Sequence, residues 1–181
     1  MKLPISDKQT VVVASVAAIS VFLAVILFIV FYLKNKKGMK FSDKGLAALK
    51  QFETLRLTAY QDVKGVWTIG WGHTGGVKAG DTCTREQADK WLKQDVAIAE
   101  NAVNSQDLKI NQNQFDALVC FTYNAGVGAF KTSMLLKKIK ANPNDPTIAS
   151  EFARWKFSGG VEVKGLVNRR AVESNLYFGL I

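Results

Sequence analysis

Residues 53–74 read ETLRLTAYQDVKGVWTIGWGHT. Leu55, Leu57 and Ala59 alternate with Arg56, Thr58 and Tyr60, the period of a strand with one inward face. Asp62-Val63-Lys64-Gly65 is a turn. Residues 66–71 read as a second strand, weakened at its far end by Gly70 and Gly72. On either side the period is helical. Ser42 or Asp43 can cap a helix with Leu46, Leu49 and Phe52 on one face, and Glu53 ends it. Gly75-Gly76 and Ala79-Gly80-Asp81 are loop signals. Thr84-x-x-Gln87 reads as a capping box for a helix with Ala88, Trp91, Leu92, Asp95, Val96, Ala99 and Val103 on one side. Asn111-x-x-Gln114 opens another with Phe115, Leu118, Val119 and Thr122, and Asn124-Ala125-Gly126 stops it. Ser133 caps residues 134–141, Pro146-Thr147 opens 148–155, and 168–176 is the last helix. One helix, a hairpin region and then helices to the end make an α+β domain that is mostly helical, with a small β-hairpin subdomain.

The composition of the whole chain hides two parts. Its 181 residues carry a net charge of +9 and are 48% hydrophobic, with a mean hydropathy of +0.05. With 14 Gly and 3 Pro it is not collagenous or low in complexity. Two Cys are too few for a disulfide-stapled miniprotein. Six of the Lys and one Asp lie in residues 1–40, so over half of the charge sits there. Residues 11–33 hold no charge, Gly or Pro, and 16 of these 23 are Val, Ile, Leu or Phe. As a helix they would span about 35 Å, against about 30 Å of hydrocarbon. Insertion would gain roughly 5–10 kcal/mol. The expected organisation is a short tail at 1–10, a transmembrane anchor at 11–33, a basic linker at 34–40 and a folded domain at 41–181. A cleaved signal peptide fits poorly, because the run is too long and no small-x-small site follows it. Met39 reads as an ordinary linker residue, with a second translation start as the alternative. Lys2 and Lys8 flank one side of the span, and Lys34, Lys36, Lys37 and Lys40 the other. That count slightly favours a cytoplasmic domain.

The chemistry lies in carboxylates. A single His excludes a multi-His metal site. Cys83 and Cys120 stand 37 residues apart with no His near either, so no metal or other cofactor is expected. Nothing in the sequence brings the two thiols within bridging distance. Glu53, Asp62 and Thr68 can meet in one cleft through the helix-to-hairpin turn. Two carboxyls flanking a cleft are what glycosidic cleavage requires, one giving a proton and the other activating water or stabilising charge. Phe52 and Leu55 beside Glu53 offer the apolar setting that favours a protonated acid.

Glu53-x8-Asp62-x5-Thr68, together with residues 67–74, resembles the phage-type lysozymes, the T-even and lambdoid endolysin group of glycoside hydrolase family 24. Residues 112–119 and Tyr123-Asn124-Ala125-Gly126 are similar to that family's central helix and the turn after it. Residues 165–173 look like its arginine-rich C-terminal helix. The resemblance covers residues 40–181 and leaves out 1–33. It implies a lysozyme-like fold and a muramidase cutting the β-1,4 bond between N-acetylmuramic acid and N-acetylglucosamine. Glu53 would be the general acid, Asp62 would orient or activate the water, and Thr68 would hold it. Tyr123, Asn124 and Ser133 match positions lining the saccharide cleft, though helix termination and capping explain Asn124 and Ser133 equally well. His73 is expected to organise the hairpin, Trp67, Trp71, Trp91 and Trp155 to serve the core, and Arg169 and Arg170 to be structural or generally cationic.

Peptidoglycan strands are then the expected partner, along with a lipid bilayer through residues 11–33. The catalytic domain is expected to be monomeric. No basic stripe with interleaved aromatics points to nucleic acid. The substrate argument outweighs the Lys count and places the domain in the periplasm, with the membrane of a lipid-containing phage virion as the alternative. Stable anchoring is favoured over signal-anchor release, because the small residues of the span stop at Ala24. Two rival functions remain: a non-catalytic wall-binding protein on a lysozyme scaffold, and a lytic transglycosylase, which needs no Asp–Thr pair.

Overall fold

The computed structural model describes residues 21–28, 38–62 and 65–181. The chain divides into two compact units, Met1–Gly38 and Met39–Ile181. In the first, residues 21–28 are helical and exposed. The span expected at 11–33 lies mostly outside the described residues, and among those no helix is long and apolar enough to cross a membrane.

The second unit is a mixed, mainly helical fold with two small sheets. Its elements run α1 (Asp43–Lys50), β1 (Arg56–Gln61), β2 (Trp67–Gly70), α2 (Arg85–Asn104), α3 (Gln112–Ala125), α4 (Val127–Thr132), α5 (Met134–Ala141), α6 (Ile148–Ala153), β3 (Phe157–Ser158), β4 (Val161–Glu162) and α7 (Lys164–Tyr177). Helix α3 is the axis of the fold. Every residue from Gln114 to Thr122 is buried, because α1, α2 and α7 all pack around it. An all-round buried helix must carry apolar residues on every face, as Phe115, Leu118, Val119 and Phe121 do.

The caps behave as local rules demand. Asn111 and Gln114 form a full capping box at α3, and the Ser133 hydroxyl accepts from Leu136 N at α5. At α2 only half of the expected box forms, with Thr84 accepting from Gln87 N.

Entry to α1 depends on a contact far away in sequence. The fully buried Asp116 carboxylate on α3 accepts from Ser42 N at 3.1 Å, from the Ser42 hydroxyl, and from Gln112 Nε2 at 2.9 Å. Gly45 lies against this group, where a Cβ would stand 2.9 Å from Asp116 Cγ and 2.5 Å from the Phe41 ring. Upstream, Met39 N donates to Asn104 Oδ1 and Phe41 N to Glu100 Oε2, both at 2.9 Å. Asp116→Ala removes the acceptor of three donors, so a loss of about 3 kcal/mol is expected. Thermal melting should show a fall of roughly 10 °C. An unchanged melting temperature would mean that water replaces the carboxylate without cost.

Several sequence expectations change. Glu53 lies beyond α1, whose C-cap is Gln51. The last helix begins at Lys164 and not at 168, and α6 ends at Ala153. Leu57 is 43% exposed despite its alternation, and β1 buries none of its residues fully. Instead Thr82 bridges to Thr58 and Cys83 N donates to Leu57 O, so a segment read as loop and helix entry joins the edge of β1. Trp67, Trp71, Trp91 and Trp155 are all only half-buried, with Trp71 and Trp155 packed against the core. The short helix α4 and the β3–β4 hairpin were not anticipated. Both are too short for a period to show, although Gly159-Gly160 between Phe157 and Val161 is a two-residue hairpin signal.

Candidate active site

The sheet aligns two of the three expected residues. Strands β1 and β2 are antiparallel, with Tyr60 opposite Thr68 and Gln61 opposite Trp67. Asp62 follows β1 and closes the turn. Its Oδ1 accepts from Val66 N at 2.8 Å, and its own N donates to Val66 O at 3.0 Å. The buried Thr68 hydroxyl donates to the same Val66 carbonyl at 3.0 Å. One peptide group therefore clasps Asp62 and Thr68 together, and the lone pairs of the Thr68 oxygen remain able to accept.

Glu53 sits in the coil between α1 and β1, its side chain 17% exposed. Arg169 Nη1 on α7 donates to its Oε1 at 2.7 Å. Arg169 Nε donates to Glu173 Oε1 at 3.1 Å, and its guanidinium lies 5.2 Å from the Phe52 ring centroid. Arg170 Nη1 is 3.3 Å from Glu173 Oε2. Two carboxyl groups and two guanidinia thus meet inside the protein. Burial alone would lower the Arg169 guanidinium, but Glu173 and Glu53 outweigh it and raise it. Burial pushes Glu173 up to about 7, against the pull of Arg170 and Arg169.

The sign of the Glu173 shift sets a stability profile. Between its ordinary value near 4.5 and about 7 the folded state holds a proton that the unfolded chain releases. Stability from this group is complete below the lower value and is lost as pH rises through the upper one. The slope reaches at most about 1.4 kcal/mol per pH unit for one proton. Unfolding followed from pH 5 to 7 should show this decline, and Glu173→Gln should flatten it. An unflattened slope would assign the decline to another group.

The second Glu53 oxygen faces Gly72. A Cβ there would stand 3.5 Å from Glu53 Oε2 and 3.6 Å from the Tyr123 hydroxyl, and the residue's φ of +102° also favours glycine. Tyr123 donates to Trp71 O at 3.0 Å. Burial, and then the nearby Glu53 charge, raise its phenol, so it stays a donor. Gly72 and Tyr123 line a cavity of about 240 Å³ with Thr74, Asp95, Thr122 and Val127. Asn124 and Ser133 do not line this cavity. Asn124 Oδ1 accepts from Arg170, and the Ser133 hydroxyl donates to Phe130 O at 2.8 Å while capping α5. His73, expected to organise the hairpin, bridges to Ile69 through its backbone. Its Nδ1 meets Asp95 Oδ2 at 2.8 Å and its Nε2 meets Gly75 O at 3.0 Å, with the ring stacked on Trp91. Cys83 and Cys120 are free.

Residues 50–173 match the family described as phage lysozyme. An endolysin of Acyrthosiphon pisum secondary endosymbiont phage 1 is 42% identical over 145 residues, which cover 77% of this chain and 98% of the relative.

The chain belongs to the phage lysozyme family.

It is accordingly a glycoside hydrolase of the muramidase type. Among solved structures, the endolysin from Escherichia coli O157:H7 phage FAHEc1 superposes with a TM-score of 0.73 at 39% identity, covering 80% of this chain and 97% of that one. A relative named SAR-endolysin, from Enterobacteria phage PA-2, is 38% identical over 63% of this chain and 70% of its own length. Against this phage lysozyme background, the residue that sequence reasoning undervalued is Arg169, which contacts Glu53 directly. The four-residue spacing of Arg169 and Glu173 on a helix was a signal of an ion pair, but nothing in the sequence tied it to Glu53.

Proposed function

We propose that the domain hydrolyses the β-1,4 bond between N-acetylmuramic acid and N-acetylglucosamine in peptidoglycan, for lysis of the bacterial wall or entry through it. The observation that carries this reading is Glu53, held through one oxygen by Arg169 at 2.7 Å while the other faces Gly72 beside the cavity. Glu53 gives a proton from Oε2 to the glycosidic oxygen as the C1–O bond breaks. Water attacks C1 from the opposite face, placed by the Thr68 hydroxyl and losing its proton to Asp62. This course inverts the anomeric centre. Tyr123 contacts the saccharide, while Asn124 and Ser133 brace the wall behind it. Purified murein treated with the protein should lose turbidity and yield reducing ends. Anhydro-muramic products would sink the hydrolytic reading, and bound but uncut murein would favour a wall-binding scaffold.

We further propose that residues 11–33 anchor the chain in the host inner membrane, after the tail at 1–10 and before the linker at 34–40, so that the domain faces the periplasm. The uncharged apolar run supports this, as does similarity to a relative named SAR-endolysin. The protein should stay in the membrane fraction after the membrane potential is collapsed, and a reporter fused after Ile181 should read periplasmic. Full-length protein in the soluble fraction would refute stable anchoring. A cytoplasmic reporter would move the anchor to another setting, such as the membrane of a virion.

A further inference from the structure

The β1–β2 hairpin carries a cation that the catalytic assignment does not use. Tyr60 is paired with Thr68 across the sheet, and directly opposed residues send their side chains to the same face. Asp62 stands two residues beyond Tyr60 and its backbone still pairs with Val66, so the alternation of a strand carries it to that face too. Tyr60, Asp62 and Thr68 therefore share the side of the hairpin that holds the proposed water. Tyr60 is also near Tyr123 in the cavity wall, where its charge, after burial, Glu53 and Asp95, helps to raise the phenol.

Arg56 joins this face by contact and not by parity. The register slips between Arg56 and Tyr60, so counting along the strand cannot place its side chain. Its guanidinium carbon lies over the Tyr60 ring, 4.3 Å from the centroid. A guanidinium laid on a ring uses its π face and keeps its edge N–H groups for a planar acceptor. Arg154, Arg169 and Arg170 each meet a glutamate. Arg56 is exposed and meets no carboxylate among the described residues.

The proposed substrate supplies a partner of the right charge. Its N-acetylated sugars are neutral, and its carboxylates lie on the peptide stem that the lactyl group joins to muramic acid. In the proposed reaction the water held by Asp62 and Thr68 attacks C1 of that same sugar, which puts the stem-bearing unit against the face where Arg56 sits. We propose that Arg56 is a specificity-determining residue: its guanidinium pairs with a carboxylate of the peptide stem on the muramic acid unit being cut. The assignment rests on the glycosidic reading of the site. Tyr60 supports the pair, because stacking reduces the freedom that a long side chain loses on binding.

The test compares two ligands that differ only in charge. On the inactive Glu53→Gln background, a murein tetrasaccharide with its peptide stems should bind about fivefold more weakly when Arg56→Gln is added, the scale of one exposed ion pair. The same tetrasaccharide with its stem carboxylates converted to amides should bind both proteins equally. Arg56→Lys should lie between, since it keeps the charge without the planar fork. Added salt should weaken binding of the acidic ligand more steeply with Arg56 than with Gln at that position. With Glu53 intact, Arg56→Gln should raise KM on murein and leave kcat. An Arg56→Gln loss of the same size for both ligands overturns the assignment, as does no loss for either. A fall in kcat at constant KM also overturns it, since Arg56 would then position the catalytic groups and not the stem. Wall clearing by Glu53→Gln alone would instead overturn the glycosidic reading itself, so the two failures are distinguishable.

Discussion

Glu53→Gln should leave a folded domain that no longer clears murein. An amide oxygen can still accept from Arg169 Nη1, so the 2.7 Å contact weakens without being lost and the coil before β1 keeps its path. No proton can be delivered to the glycosidic oxygen. General acid catalysis contributes about 10²–10⁴-fold, so the initial rate of turbidity loss should fall at least that far. Circular dichroism and thermal melting check that the fold survives. Activity above a tenth of the unsubstituted level would remove Glu53 from the acid role.

Arg169→Met should have the largest effect on stability. The Arg169 side chain is 6% exposed and joins Glu53 to Glu173, whose own side chain is 1% exposed. Methionine fills much of the volume and can keep contact with the Phe52 ring, but it leaves two carboxylates beside a single guanidinium, that of Arg170. Breaking a buried pair by removing one partner costs about 3–5 kcal/mol. Urea unfolding should register that loss, and murein clearing should fall with it because Glu53 loses the group that orients it. Arg169→Lys should lie between, since it restores the charge but not the fork that reaches both carboxylates. If Arg169→Met unfolds at the same urea concentration as the parent, the four-charge cluster contributes nothing to stability.

Legibility followed the range of each interaction. The boxes and caps at Asn111 and Ser133 were readable because their partners lie three residues away. The hairpin was readable because a turn joins its strands, and the Asp62–Val66–Thr68 clasp follows from that register. Burial along β1 was not readable. Alternation says that two faces differ, while only the neighbouring elements say how far either is covered, and no β1 residue is fully buried. Asn124 and Ser133 show the same limit: their side chains are engaged by Arg170 and by the start of α5, and residue type alone left cleft contact and structural bond as equal alternatives.

By itself the sequence determined a helical domain with one hairpin, a separate apolar run before it, and three residues whose types and spacing fit glycosidic cleavage. Short-range hydrogen bonds and hydrophobic periods are sufficient for that much. Tertiary structure alone decided that Arg169, 116 residues from Glu53, holds the proposed acid. It also decided that Asp116 on α3 secures the entry to α1, 74 residues away. Each of these depends on which helices pack around α3, and packing brings together residues that share no local pattern.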